Sequence, residues 1–393
     1  MSLYDDIINK KKKEWSAENL MDGAKQSRGK KIPFSSPLMN WSTYGGIPRD
    51  KITEFFGEPG GGKSTSAVDI CKNAYPIFKQ EHEDRINYLR GVAKTGNKGA
   101  AAEMEELIEN GPKKILYIDL EHSFDSQWAS TIGIKPEEIE IMQPPDVVAE
   151  DILQTVQELI CTGQVGLVVL DSIPSLVPKA ELEKKYGERT VASLAGLLTI
   201  FFRKIVPILT RYGCTLIFIN QIRQNMDNPY VVKTPGGEAP KFYASMRILF
   251  QIGSPVDFLG NELPKSSENP AGYIVNAKLV KQKSAPNDRK NASYFLMCQS
   301  GIREDMDFAN LAMKKYGIIH KAAAWFSFAD PYTGEAIEEE GKLVKVNGMA
   351  KVYEYLKSNK EYYSKLKKYI MDDIYGKSED EINENSEESS EEL

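Results

Sequence analysis

The run Gly57-Glu58-Pro59-Gly60-Gly61-Gly62-Lys63-Ser64, continued by Thr65, fits the pattern G-x-x-x-x-G-K-[ST] in full. A loop of this kind holds the phosphates of a nucleotide. Its glycines let successive backbone N–H groups curl around a β-phosphate. The helix starting near Lys63 presents its positive end, and the Lys63 ammonium reaches the β and γ oxygens. The Ser64 hydroxyl is suited to ligate Mg²⁺. The plain alternative is a glycine turn ahead of a helix, against which stands the full strand–loop–helix context. Asp171 closes the apolar run GLVVLD and is followed by Ser172. That is the place for a carboxylate that orients magnesium through water, unless it merely caps the next turn. The run ILYID leads into Leu120-Glu121-His122, which puts a carboxylate where ligands bind in parallel sheets. Glu121 is the candidate for polarising an attacking water. Asp119 and Glu121 are not ranked by chemistry alone, and His122 reads as a hydrogen-bonding neighbour. Finally TLIFIN turns abruptly amidic and basic at Gln221-Ile222-Arg223. The Gln221 amide is expected to meet the γ-phosphate and thereby set the loop that follows.

These groups converge only if their strands lie side by side. KITEFF, ILYID, GLVVLD and TLIFIN are short and Val/Ile/Leu-rich, with helical segments between them, one of them Leu194 to Leu209. That alternation predicts a mainly parallel sheet with helices on both faces, an α/β fold. SMRILFQI, YIVNAKLVKQK and SYFLMCQ follow without intervening helices, as an antiparallel extension. The helix after the glycine loop is read over SAVDICKNAYPIFK, and residues 80–112 as a charged, partly helical insertion outside the sheet. The division expected is a helical arm and linker over 1–30, an ATPase-type core over 31–303, a small α/β unit over 304–376, and a disordered acidic tail over 377–393.

Composition narrows the class. The chain of 393 residues is 41% hydrophobic and 27% charged, ordinary for a globular protein. No apolar run approaches the roughly 20 residues needed to cross a bilayer, and no signal peptide is apparent, so a cytoplasmic protein is expected. The four scattered cysteines read as reduced thiols, and with three histidines and no Cys/His cluster no zinc site is expected. The net charge is −6, but residues 378–393 hold eight acids and no base. The remainder is therefore slightly basic, at +2. The tail is either a solubility segment or a competitor with a polyanion for basic surface.

Taken together, the motifs resemble a RecA-family DNA recombinase in order over residues 31–350. GEPGGGKST is similar to that family's phosphate loop, YIDLEHSFDSQW to its catalytic-glutamate segment, and VVLDSIPSLVPKAELE to its magnesium strand and first DNA loop. LIFINQIR and TPGGEAPKFYASMR bracket a second DNA loop, LVKQKSAP is similar to a lysine strand, and AAAWFSF to the C-terminal domain. The resemblance implies a RecA-like P-loop ATPase core using ATP and Mg²⁺. It implies that Glu121 activates the hydrolytic water, that Asp125 and Trp128 contact the adenine, and that Lys281 and Lys283 reach a neighbouring subunit's γ-phosphate. The implied partners are single-stranded DNA, homologous duplex DNA and further copies of the chain in a helical filament, with mediator and single-strand-binding proteins as helpers. No membrane partner is implied.

The DNA side has its own physical argument. The stretches 182–193 and 222–241 are long and polar, and both follow strands at the phosphate edge, where functional loops face a ligand. Arg223 enters the second of them. The amides of Gly236 and Gly237, with Thr199 and Arg203, are expected to grip phosphates, while Val191 and Met226 wedge between bases. Gly196 stands where the resemblance implies an arginine. The short arm and the 80–112 insertion depart from compact bacterial members and suggest a phage-encoded relative. Competing readings are a ring helicase of the same core fold, an ATP-regulated strand-annealing protein and, more distantly, a metabolic kinase.

Overall fold

The strands expected to carry the chemistry pair side by side in one nine-stranded sheet. The computed structural model describes Lys10 and residues 29–145, 148–185, 193–224 and 232–375. Residues 1–30 group as one unit and residues 31–393 as a second, which carries the sheet and its helices. The expected arm and the acidic tail lie outside the described residues, apart from Lys10, Gly29 and Lys30.

The sheet strands are β1 (Ile52–Gly57), β2 (Lys114–Asp119), β3 (Glu140–Met142), β4 (Val165–Asp171), β5 (Thr215–Gln221), β6 (Met246–Val256), β7 (Gly272–Gln282), β8 (Asn291–Met297) and β9 (Gly301–Ile302). Their spatial order is β9-β8-β7-β6-β1-β5-β4-β2-β3. From β6 to β3 every pairing is parallel, and from β6 to β9 every pairing is antiparallel. The expected antiparallel extension thus joins the parallel part through β6, which pairs in parallel with β1.

Both faces of the parallel part are covered, which explains why β1 and β4 are buried at every position. On one face Phe55, Tyr117 and Val169 pack with Ile70, Ala74 and Phe78 of α1 (Lys63–Ala93). On the other, Ile118, Leu170 and Phe218 pack with Val156 of α4 (Ala149–Cys161) and with Leu198, Phe202 and Ile205 of α5 (Ser193–Tyr212). Cutting Phe202 back to Ala would cost about 3–5 kcal/mol at such a site.

One boundary differs from the sequence reading. The helix after the glycine loop does not stop at Lys79 but runs 31 residues to Ala93. Pro76 lies inside this helix on its exposed side. The chain returns through α2 (Lys98–Asn110), started by the Asn97 side chain accepting from Ala100 N. His82 bonds the Leu107 carbonyl and Arg85 the Glu103 carboxylate, so most of the 80–112 stretch is a helical hairpin that contributes no strand.

Beyond the sheet, α7 (Glu304–Leu311), the three-stranded sheet of β10 (Ile319–Ala322), β11 (Trp325–Phe328) and β12 (Lys345–Asn347), α8 (Met349–Ser358) and α9 (Lys360–Tyr375) share a third core. It also includes Val256, Phe295 and Met297 from the main sheet. The DPYTGE turn is closed by Asp330, whose carboxylate accepts from the Tyr332 and Thr333 amides.

Candidate nucleotide site and its loops

The neighbouring strands β1, β5, β4 and β2 end at the same edge of the sheet; β1 ends level with β5 and β2 with β4, while β5 runs past β4, whose Leu170 pairs with Phe218. Gly57 lies opposite Gln221, and Asp119 opposite Asp171. The glycine loop, Glu121, Asp171 and Gln221 therefore meet at one carboxyl edge, where parallel sheets bind ligands.

Glycine is required at both ends of the loop. A Cβ at Gly57 would stand 2.1 Å from the Phe250 carbonyl, and Gly62, at φ 89°, caps α1 in the left-handed region. Lys63 opens that helix, is nearly buried and donates to the Glu58 carbonyl at 2.7 Å. Burial pulls its ammonium below the usual lysine range, against the opposing attraction of Asp171, Glu121 and Glu58. Asp171 is buried, which raises its carboxyl above the usual range. Hydrogen bonds from Tyr117 and Ser64 act the other way, with Tyr117 Oη at 2.6 Å from Oδ2. A serine hydroxyl beside a carboxylate is a hard oxygen pair of the kind Mg²⁺ takes along with substrate phosphates and water. Among the described residues no group of three or more His, Cys, Asp or Glu could hold a metal ion.

The two carboxylates left unranked by sequence now separate. Asp119 is 1% exposed and saturated: Oδ1 accepts from Glu121 N at 3.2 Å, and Oδ2 from Phe124 N at 2.8 Å and Gln143 Nε2 at 2.9 Å. It shapes the turn. Glu121 is exposed, and its Oε1 accepts from Ser172 Oγ and, at 3.2 Å, from Gln221 Nε2. His122 is exposed at φ 53° in the same turn.

Asp125 caps α3 (Ser126–Ile132), accepting from Gln127 N and Trp128 N. This places the half-buried Trp128 with its Nε1 3.4 Å from Thr65 Oγ1, beside the first turn of α1. Lys281 and Lys283 are not brought to this chain's own phosphate loop. Lys281 pairs with Arg247, which pairs with Glu54, three residues before Gly57. Its ammonium donates to the Lys241 and Phe242 carbonyls at the end of α6 (Ala239–Tyr243), and Lys283 sits 5.7 Å over the Phe242 ring.

On the loop side, Gly236 and Gly237 are both left-handed and lie against Leu198 and Ala195 at the start of α5. Thr199 and Arg203 are exposed, one turn apart, on that helix. The second loop is not open at its base: Arg223–Gln224 and Val232–Lys233 form a two-residue antiparallel ladder. Val191 and Met226 lie outside the described residues, and of Arg223 only the backbone is described.

Sequence reasoning missed the partners of its own candidates. Ser172 holds Glu121, and Tyr117 holds Asp171. The adjacency of Ser172 to Asp171 was the available signal for the first. A tyrosine two residues before Asp119 was the signal for the second, since alternation gives both the same face.

A phosphate loop, a serine–carboxylate pair and an exposed carboxylate at the edge of a parallel sheet covered on both faces define an α/β protein of the P-loop class. The model of the RecA N-terminal domain matches residues 83–303. The chain is 30% identical over 331 residues to Protein RecA of Thermus aquaticus, covering 84% of this chain and 80% of that protein. It is 31% identical over 307 residues to Protein RecA of Clostridium acetobutylicum, with 77% and 74% covered. Against Protein RecA of Thermus thermophilus it is 31% identical over 304 residues, with 77% and 76% covered. The chain belongs to the RecA family. The stretch matched by the family model contains Glu121, Asp171, Gln221, Lys281 and Lys283 but begins after the phosphate loop, which stands on its own motif and geometry.

Proposed function

We propose that the chain is an ATP-dependent DNA recombinase that assembles on single-stranded DNA, pairs it with homologous duplex and exchanges strands, hydrolysing ATP as it turns over. Family membership supports the general reading. The observation that carries it is local: one oxygen of Glu121 accepts from Gln221, and Gln221 is two residues from the ladder at the base of the second loop.

In this reading the loop from Gly57 to Gly62 wraps the phosphates with its amides, Lys63 neutralises the β and γ oxygens, and Thr65 stays in the first helical turn beside them. Ser64, and Asp171 through water, would hold Mg²⁺, which supplies charge neutralisation on the phosphates when bound. Glu121 takes a proton from the attacking water. Ser172 and Gln221 orient its carboxylate. Trp128 offers a face for adenine, and Asp125 fixes the helix that carries it. Lys281 and Lys283 act on the nucleotide of an adjacent copy.

On the DNA side, the Gly236–Gly237 amides, Thr199, Arg203 and Arg223 grip phosphates, and Val191 and Met226 part the bases. The division into arm, core, small C-terminal unit and acidic tail belongs to the same proposal. The test is the rate of ATP hydrolysis by the purified full chain with and without single-stranded DNA. Stimulation by DNA is expected, and equal rates would overturn the coupling.

A further inference from the structure

A charged side chain in the interior of a parallel strand is costly unless it is fully partnered. Glu54, in the middle of β1, has no exposure at all. Its two oxygens point to different parts of the molecule. Oε2 takes the Arg247 guanidinium of β6, and Oε1 takes the Asn220 amide of β5 at 3.1 Å. The same Asn220 amide donates to the Pro235 carbonyl at 3.1 Å, immediately before the Gly236–Gly237 turn, and Asn220 Oδ1 accepts from Gln221 N at 3.0 Å. Arg247 lies 4.7 Å over the Phe56 ring and is the strand partner of Lys281. One buried carboxylate thus has a hydrogen-bonded path to the nucleotide-facing end of β5, a second to the base of the second loop, and a third to the strand position beside Lys281.

We propose that Glu54 is a positioning residue that locks these three places into one unit, so that a shift at Gln221 moves the loop base and the lysine strand together. This rests on the proposed recombinase function. Stability alone is a weak reason for such a cluster, because apolar residues of similar size in place of a buried ion pair are often neutral or stabilising. What an apolar pair would lack is the directional link to Asn220 and onward to Pro235.

The test uses the full chain, a fluorescein-labelled oligothymidylate, and either a non-hydrolysable ATP analogue or ADP. The measured quantity is the ratio of DNA affinities in the two nucleotides. For the unsubstituted protein a ratio of about 5–150 is expected for a coupled pair of sites. Glu54→Gln keeps the acceptor for Asn220 but turns an amide toward Arg247. The double variant Glu54→Leu with Arg247→Met removes the pair without leaving a buried charge, and it provides the answer if the single variant does not fold. Both should bind a fluorescent ATP analogue within about twofold of the unsubstituted protein, while the affinity ratio falls below about 2. A folded double variant that keeps the full ratio overturns the proposal, as does a loss of ATP binding in step with the ratio. If the unsubstituted protein shows no ratio, the recombinase function fails first, and this inference with it.

Discussion

Replacing Glu121 by Gln and Asp119 by Asn should separate chemistry from scaffolding at a pair of carboxylates two residues apart. Glu121 is exposed, and an amide oxygen still accepts from Ser172 and Gln221. The cost in stability should stay within about 0.5 kcal/mol. Losing the proton acceptor should lower the hydrolysis rate by about 10²–10⁴. Asp119 behaves in the opposite way. Its three donors converge on two oxygens inside the protein, so any orientation of an asparagine there leaves at least one N–H facing an amide. A buried donor left unsatisfied costs about 1–3 kcal/mol. The assay is single-turnover hydrolysis at saturating ATP, paired with a denaturant melt of each variant. A Glu121→Gln protein retaining more than about a tenth of the rate refutes the assignment of the base. So does an Asp119→Asn protein of unchanged stability that has lost the chemistry.

Other consequences can be checked separately. Gln221→Ala should bind ATP normally yet lose nucleotide control of DNA affinity, and persistence of that control in an ATP-versus-ADP titration would reduce Gln221 to a strand end. Gly196 is exposed on α5, and a Cβ there meets nothing within 4 Å. Gly196→Arg should therefore tighten single-stranded DNA binding and steepen its salt dependence by about one phosphate contact. Deleting residues 378–393 removes eight acids and should strengthen duplex binding, with the largest gain at low salt. Burial, with Lys283 and Arg247 nearby, pushes the Lys281 ammonium down from 10.5 to about 8. Between those values the unfolded chain holds a proton that the folded chain has released, so this group makes stability rise with pH across that window. Any cationic contact made by Lys281 should fade above about pH 8, and Lys281→Arg should abolish that part of the pH profile in a DNA-stimulated hydrolysis assay.

Much of the site was legible because its residues sit next to strand ends that composition alone marks. The glycine loop, Asp171, Glu121 and Gln221 each follow an apolar run, and parallel pairing carries all four to one edge. What stayed hidden was non-local. Nothing in the neighbourhood of Glu121 names Ser172, which lies 51 residues away and arrives through the pairing of β2 with β4. The helical hairpin was obscured by Pro76 and by a charged sequence that mimics a loop, because helices solvated on most sides have little apolar periodicity to read. Glu54 gave a visible signal, a lone charge in ITEFF, but its meaning depends on Arg247 and Asn220 arriving from either side. The ladder at Arg223–Gln224 was missed because two-residue pairings leave no pattern in the sequence.

Recombinase function can be read out by strand exchange between a circular single strand and homologous linear duplex, with the same samples imaged by electron microscopy. Joint molecules and helical filaments should form with ATP and fail to form with ADP. Closed rings without joint molecules, or exchange indifferent to the nucleotide, would contradict it.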